Sequence, residues 1–436
     1  MRGTYQLVLL LFLTAFQNIA AQEIYQLSLK NVLEKVKENN YTVKLSQKDV
    51  NVAKAEYNQS NAVWLPNISV SHTGYTTTNP LMAFGSKLNQ EILTQADFNP
   101  ELLNDPDAIS NFSTKIEIQQ PIFNADGFYM RKAAKAKMNA TELQANRTKK
   151  YIELQATKAF MQLQLAYKAV EVLQKAKEAA LENKKIAENN FKQGYLQKAD
   201  VLLVDIHVTE IENKLQSAIS SVKNASDYVQ FLMGEKPNKI VKPTNNLKAT
   251  INLEIYNQQF SNNRADIDAM KVSTDAYNSL YKASKTSFLP TLNAFGSYEL
   301  YDDNLFGTTA KGYLVGAQLT WNVFEGFKRI GKTQKSKAEF DKAKLNLEQY
   351  KNKSILEFDK TKRQLKDAEN KLHLTNLAVN QAKEALRIRT NRFAEGLEKT
   401  SDVLTAETQF LQKQLEYLQT VFNYNLTKST LIYLTK

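Results

Sequence analysis

Two kinds of hydrophobic periodicity alternate along this chain. Four segments, 67–75, 112–120, 291–301 and 313–321, alternate apolar and polar residues with a period of two. This pattern predicts strands with one apolar face. Long tracts poor in Gly and Pro instead keep heptad spacing, as in Ile152, Ala156, Ala159 and Leu163. They predict coiled-coil helices over 128–193 and 327–395, each followed by a shorter helix, over 199–233 and 401–434.

The chain contains the same unit twice. Residues 189–204 read NNFKQGYLQKADVLLV, and residues 391–406, 202 positions further on, read NRFAEGLEKTSDVLTA. Trp-Leu-Pro at 64–66 is echoed by Phe-Leu-Pro at 288–290, and Ile-Phe at 122–123 by Val-Phe at 323–324. Three matches in the same order predict two structural repeats, 23–233 and 251–436, joined by a linker over 234–250.

The predicted strands have the length that spans a bilayer when tilted. Aromatic residues stand at their ends, where interfacial girdles form in membrane barrels. A soluble sandwich is disfavoured because no second sheet is available to pack against the first. Four strands cannot close a barrel, and open edges are not tolerated in lipid. We therefore expect an oligomer, with eight strands in a dimer or twelve and an open lumen in a trimer.

The N-terminal segment and the composition exclude several classes of function. Residues 1–22 combine Arg2, a short apolar stretch and Ala20-Ala21, and they predict a secretory signal peptide. The chain has no Cys, and its net charge of +12 is spread along the helices, which argues against nucleic-acid binding. His72, His207 and His373 are isolated in sequence, so neither a metal nor another cofactor is predicted. No set of catalytic groups can be assembled, so an enzyme is not expected.

The doubled unit carries a family resemblance. The WLP and FLP junctions, the PIF and WNVFEG junctions and the twin F-x-x-G-x-x-x-x-x-D-V-L turns resemble the TolC family of outer-membrane efflux proteins. The resemblance implies a mainly α fold with a transmembrane β portion. In a homotrimer, long coiled-coil hairpins would form an α-helical barrel in the periplasm, and four strands per protomer would contribute to a twelve-stranded β-barrel in outer-membrane lipid.

The same resemblance implies a function. Such a protein is the passive exit duct of a tripartite efflux pump or of a type I secretion system. Its partners would be a periplasmic adaptor (membrane fusion) protein and an inner-membrane RND, ABC or MFS transporter. The alternative is a structural coiled-coil envelope protein or adhesin without channel activity. That alternative explains the heptads but not the paired strands of bilayer length.

The resemblance also implies which residues form the periplasmic mouth. Adaptor docking is expected at Gly194, Tyr195, Leu196, Gly396, Leu397 and Glu398, and a pore constriction at Asp200, Asp402 and Thr405. Thr405 stands where relatives place a second acidic layer, and Glu398 where they place a basic latch. The two Asp residues equally suit the starts of helices, where negative charge is favourable. Asp205 and Glu407, further along, could supply alternative contacts between helices.

The polar faces of the predicted strands should line the lumen of the barrel. The candidates are Lys115, Glu117, Gln119, Gln318 and Thr320. Because they include both charge signs and neutral amides, they predict a wet and weakly selective duct.

Overall fold

The computed structural model describes residues 24–249, 251 and 253–436; the predicted signal peptide over 1–22 lies outside the described residues. The strands are β1 (Ile24–Leu27), β2 (Asn67–Thr77), β3 (Ile109–Phe123), β4 (Ile240–Pro243), β5 (Thr291–Asp302) and β6 (Ala310–Thr320). The helices are α1 (Leu29–Asn39), α2 (Tyr41–Gln59), α3 (Pro80–Asn89), α4 (Pro100–Asn104), α5 (Ala125–Lys192), α6 (Lys198–Leu232), α7 (Ala265–Thr286), α8 (Lys328–Ala394) and α9 (Thr400–Thr435). None of the helices within the described ranges is both long and apolar enough to cross a membrane.

Two compact units make up the chain, and each draws on both sequence repeats. One contains the described residues up to 48 together with 143–267 and 350–436; the other contains 49–142 and 268–349. The division therefore differs from the division into repeats at 23–233 and 251–436. The reason is that the hairpins of the two repeats pair with each other, β3 of the first with β5 of the second.

The second unit holds an antiparallel sheet in the order β2-β3-β5-β6. β3 extends three residues beyond each end of the predicted strand 112–120. Alternation stops at Gln119-Gln120, yet main-chain pairing continues to Phe123 after a register shift at Pro121. Proline is tolerated at such irregularities because it has no N–H to donate. The segment between β2 and β3 also contains two helices, α3 and α4, which the sequence pattern did not predict.

One face of this sheet is apolar and exposed. Val70, Ile116, Tyr298 and Tyr313 lie side by side across the four strands. The outermost two of them, Val70 and Tyr313, are 68% and 81% exposed. A large apolar surface open to the surroundings is unusual for a soluble domain and marks a membrane or protein contact.

The first unit is built on the long helices. At 1.5 Å per residue, α5 and α8 are each about 100 Å long. They start and end within three residues of the limits predicted for 128–193 and 327–395. Leu173 of α5 packs with Ile211 of α6 and Leu411 of α9 in one buried cluster. Leu365 of α8 packs with Tyr424 and Leu431 of α9 in another, as heptad packing requires.

The segment expected to be a plain linker, 234–250, contains a strand. Its residues 240–243 form β4, which pairs in parallel with β1. Val241 is fully buried among residues of α1, α5 and α6. The sequence prediction missed this pairing because a four-residue strand is too short to show a period.

Candidate functional site at the helical turns

The two long helices end in the same hydrogen-bonded turn. Gly194 N–H donates to Phe191 O (2.9 Å) and Tyr195 N–H to Asn190 O (2.9 Å). In the second copy, Gly396 N–H donates to Phe393 O (3.0 Å) and Leu397 N–H to Arg392 O (2.9 Å). This is the Schellman pattern, which needs a left-handed residue after the helix. Gly194 and Gly396 supply it, with φ of +83° and +76°.

The helices that leave the turns begin with the two motif acids. Asp200 accepts a hydrogen bond from the Gln197 N–H (3.2 Å) and so satisfies a free donor at the start of α6. Asp402 lies in the first turn of α9, 3.8 Å from the Arg389 guanidinium. Thr405 is exposed, and its hydroxyl donates to Ser401 O (2.7 Å) within its own helix. Each of the three therefore has a local structural contact.

Glu398 is held by two arginines of the last turns of α8. Its carboxylate lies 2.7 Å from Nη1 of Arg389 and 2.9 Å from Nε of Arg392. The hydrogen bond from Arg392, with the charges of both arginines, holds the pKa of Glu398 below its usual value. The resemblance led us to expect a basic residue at this position, but here the bases come from α8. Neither arginine was among the predicted site residues, although their i, i+3 spacing beside the turn is a signal visible in the sequence.

A cleft of about 680 Å³ lies between the two turns. Its lining includes five of the residues predicted to form the mouth and its constriction: Tyr195, Leu196, Asp200, Gly396 and Glu398. Leu397 is 62% exposed and Tyr195 78% exposed, which leaves apolar and aromatic surface at the turns. Gly194, Leu397, Asp402 and Thr405 do not line this cleft.

Further along the helices, Asp205 and Glu407 were expected to contact other helices, and both do so. Asp205 lies 2.7 Å from Lys184, and Glu407 lies 3.0 Å from Nε2 of His207. Asn183 also donates to Glu407. His207 is isolated in sequence, as described above, and its partner in the fold is 200 positions away.

The five predicted lumen residues share one face of the sheet. The register aligns Gln119 with Phe295 and Gly316, and the alternation then places Lys115, Glu117, Gln318 and Thr320 on the same side. Nζ of Lys115 lies 3.3 Å from both Glu117 and Glu299, and Gln119 donates to Glu117 (2.7 Å). One lysine thus faces two glutamates, so these three side chains carry one net negative charge.

The chain joins a sheet with one exposed apolar face to coiled-coil hairpins that end in twin turns. This combination defines the class of outer-membrane channels with a helical portion. Among solved structures, the chain is similar to the CmeC outer membrane channel of Campylobacter jejuni, with 17% identity and a TM-score of 0.79 over 93% of this chain and 85% of that chain. It is also similar to VceC of Vibrio cholerae (16%, 0.78, 93% and 96%) and to a membrane protein of Pseudomonas aeruginosa (14%, 0.80, 94% and 92%). No curated protein matches it significantly.

The family model for outer membrane efflux proteins matches residues 32–235 and 257–433. The chain belongs to this outer membrane efflux protein family. It is an outer-membrane channel that extends into the periplasm and serves as the exit duct of a tripartite pump, and it is not an enzyme. Channels of the family are trimeric and work with adaptors and inner-membrane pumps. Nothing in these comparisons supports the adhesin alternative.

Proposed function

We propose that three copies of this chain close a twelve-stranded barrel, with the exposed apolar face toward lipid. Support comes from the sheet order, in which β2 and β6 each pair on one side only within the described residues. Open edges in a bilayer would leave main-chain groups unsatisfied at a cost of several kcal/mol each. Pairing of β6 with β2 of the next copy removes both edges. The face with Lys115, Glu117, Gln119, Gln318 and Thr320 then lines the lumen.

The main support for placing the periplasmic mouth at the helical turns is the cleft that lies between the two Schellman turns. Both turns present short loops with exposed Tyr195 and Leu397, while Glu398 is fixed by Arg389 and Arg392. A groove with an apolar rim and charges fixed by ion pairs suits an amphipathic helix of a partner. The adaptor protein would therefore dock at this cleft. The inner-membrane pump would engage the duct through the adaptor.

Crosslinking tests the docking site directly. Because the chain has no Cys, Leu397→Cys introduces a unique thiol at the turn. We expect a bifunctional thiol–amine crosslinker on this variant to capture the adaptor in cells. Lys223→Cys, exposed on α6 away from the turns, is the matched control and should capture little. Equal capture by both variants, or none by Leu397→Cys, would contradict docking at the cleft.

We further propose that Asp200, Asp402 and Thr405 surround the constriction of the duct. Planar-bilayer recording of Asp200→Ala and Asp402→Ala channels tests this role. Each substitution removes three carboxylates from a trimer, so cation selectivity, measured as the reversal potential in a salt gradient, should fall. The larger change is expected for Asp200, because Asp402 lies 3.8 Å from the Arg389 guanidinium, whose positive charge offsets part of its own. Unchanged selectivity in both variants would show that these acids do not line the constriction.

A further inference from the structure

The two strand hairpins differ most in the segment that joins their strands. Residues 78–108, the outer segment, join β2 to β3, whereas only 303–309 join β5 to β6. The outer segment contains α3 and α4 and is held by its own contacts. Nζ of Lys87 lies 2.7 Å from Oδ1 of Asp97, and the rings of Phe84 and Phe98 pack edge to face, 5.6 Å apart. It is therefore a folded cap and not an extended loop.

The outer segment packs on the polar face of the sheet. Asn111 precedes Lys115 by four residues in β3, so the two side chains lie on the same face. The Gln90 amide at the end of α3 donates a hydrogen bond to Oδ1 of Asn111 (2.9 Å). The hydroxyl of Ser86 lies 3.0 Å from that of Tyr75, which is the β2 partner of Asn111. These contacts place α3 over the face that carries the predicted lumen residues.

Only the outer end of this face is covered. Ser86, Gln90 and Asn111 are at most 2% exposed. In contrast, Gln119 and Gln318, which share the face but lie near the other end of the sheet, are exposed. That other end is the one from which the chain continues into the long helices α5 and α8. The covered end is therefore the one farther along the strands from these helices.

The side of α3 that faces away from the sheet is apolar and open. Leu81 and Leu88 are seven residues apart, which places them on one side of the helix. They are 81% and 56% exposed, and Met82 beside them is exposed as well. Apolar side chains grouped on a helix in water indicate a contact surface. In a trimer with threefold symmetry, the same surface of the other two copies lies at the same level around the axis.

The dimensions of a twelve-stranded barrel make this arrangement restrictive. Twelve strands about 4.8 Å apart and tilted by about 40° enclose a ring about 24 Å across, measured between backbones. A helix with its side chains is about 10–12 Å thick. Three helices packed against the inner side of such a ring are enough to fill most of its opening.

We propose that the α3 helices of three copies meet across the outer opening of the duct and limit the size of what leaves it. Large molecules then pass only when α3 moves off Tyr75 and Asn111. This constriction is separate from the one at the helical turns. The inference rests on the proposed function, because it requires a trimeric barrel whose lumen is lined by the polar face.

Thiol labelling in intact cells tests the size limit, because the chain has no Cys. Gln318→Cys places a thiol on the polar face, below the outer segment. We compare the native chain with one in which 78–108 is replaced by the sequence of 303–309. A maleimide on a large polyethylene glycol chain should label Gln318→Cys slowly in the native background. After the replacement it should react as fast as with Leu305→Cys, an exposed control in the short loop. No gain on replacement overturns the constriction.

A small, charged thiosulfonate reagent separates this failure from failure of the proposed function. In the replaced background, it should label Gln318→Cys readily. If it does not, the polar face does not line a lumen, and the proposed barrel fails together with the constriction. If it does, while the large reagent labels the native background as fast as the Leu305→Cys control, the barrel stands and the constriction is overturned.

Two point variants test the same arrangement without exchanging the segment. Gln90→Ala removes the hydrogen bonds that hold the end of α3, so it should speed labelling of Gln318→Cys by the large reagent. Leu81→Cys, with a short thiol–thiol crosslinker, should give dimers, since two of the three thiols in a trimer can be joined. Leu305→Cys, a similarly exposed leucine in the other hairpin, should give few. Equal yields from the two cysteines, or none from Leu81→Cys, would show that the α3 helices do not meet.

Discussion

Replacement of Asp266 by alanine is expected to lower the free energy of unfolding by about 3–5 kcal/mol, because it leaves buried cations without a counter-charge. The Asp266 carboxylate accepts two hydrogen bonds from Arg264, at 2.6 and 3.1 Å. It also accepts one from the Tyr350 hydroxyl at 2.7 Å and lies 3.2 Å from Nε of Arg147. Arg147, Arg264 and Asp266 are all 5% exposed or less. Urea unfolding of the detergent-solubilised protein, followed by circular dichroism, measures the loss.

The cluster also fixes the end of the last helix. The two guanidinium groups donate to the main-chain oxygens of Tyr433 (3.1 Å) and Leu434 (3.2 Å), where a helix carries partial negative charge. Loss of Asp266 should therefore loosen the last turn of α9 as well. Asp268→Ala is the matched control, since its carboxylate is 34% exposed and pairs with Lys271 at 2.8 Å. That change should cost about 0–1 kcal/mol. Similar losses in both variants would contradict the assigned role.

The pH dependence of this contribution has a definite sign. Burial acts to raise the pKa of Asp266, but hydrogen bonds from Arg264 and Tyr350 and the nearby arginine charges outweigh it and lower the pKa to about 2. A carboxyl whose pKa is lower in the folded state stabilises the protein above its ordinary pKa and loses this effect on acidification. The wild type should therefore lose stability between about pH 4 and pH 2. Asp266→Ala should lack this part of the loss.

The second large effect is expected at Gly234. Gly234→Ala should cost about 2–5 kcal/mol, the sum of roughly 1–2 for a left-handed residue and 1–3 for overpacking. Gly234 has φ of +71° and ends α6 with a Schellman turn, in which Glu235 N–H donates to Gln230 O (3.0 Å). An added Cβ would lie 2.5 Å from the main-chain oxygen of Asn39. Thermal unfolding of the purified protein measures the effect.

Gly396→Ala separates the cost of a left-handed backbone from the cost of overpacking. Gly396 has nearly the same φ, +76°, but an added Cβ would meet no atom within 4 Å. Only the conformational penalty of about 1–2 kcal/mol then applies. A loss at Gly396 as large as that at Gly234 would show that the contact with Asn39 does not contribute.

The sequence was a good guide wherever an interaction is local or periodic. The heptads of α5 and α8, the alternation in β5 and β6 and the glycines of the two turns can all be recognised from the spacing of neighbouring residues. The repeat showed which turns are equivalent, and hence that Gly194 and Gly396 have one role in the backbone. The helices α3 and α4 were missed because they are short and lie in a segment without clear periodicity. β4 was missed because a four-residue strand is too short to show a period and because its partner, β1, is more than 200 residues away.

By itself, then, the sequence determined the long helices, the four strands of the larger sheet, their doubling and the family resemblance, because periodicity and turn chemistry are properties of neighbouring residues. Only the tertiary structure decided which charges meet. Arg147 reaches Asp266 across 119 positions and His207 reaches Glu407 across 200. Pairings of this kind depend on how separate helices align against one another, and side-chain spacing along one helix does not encode that alignment.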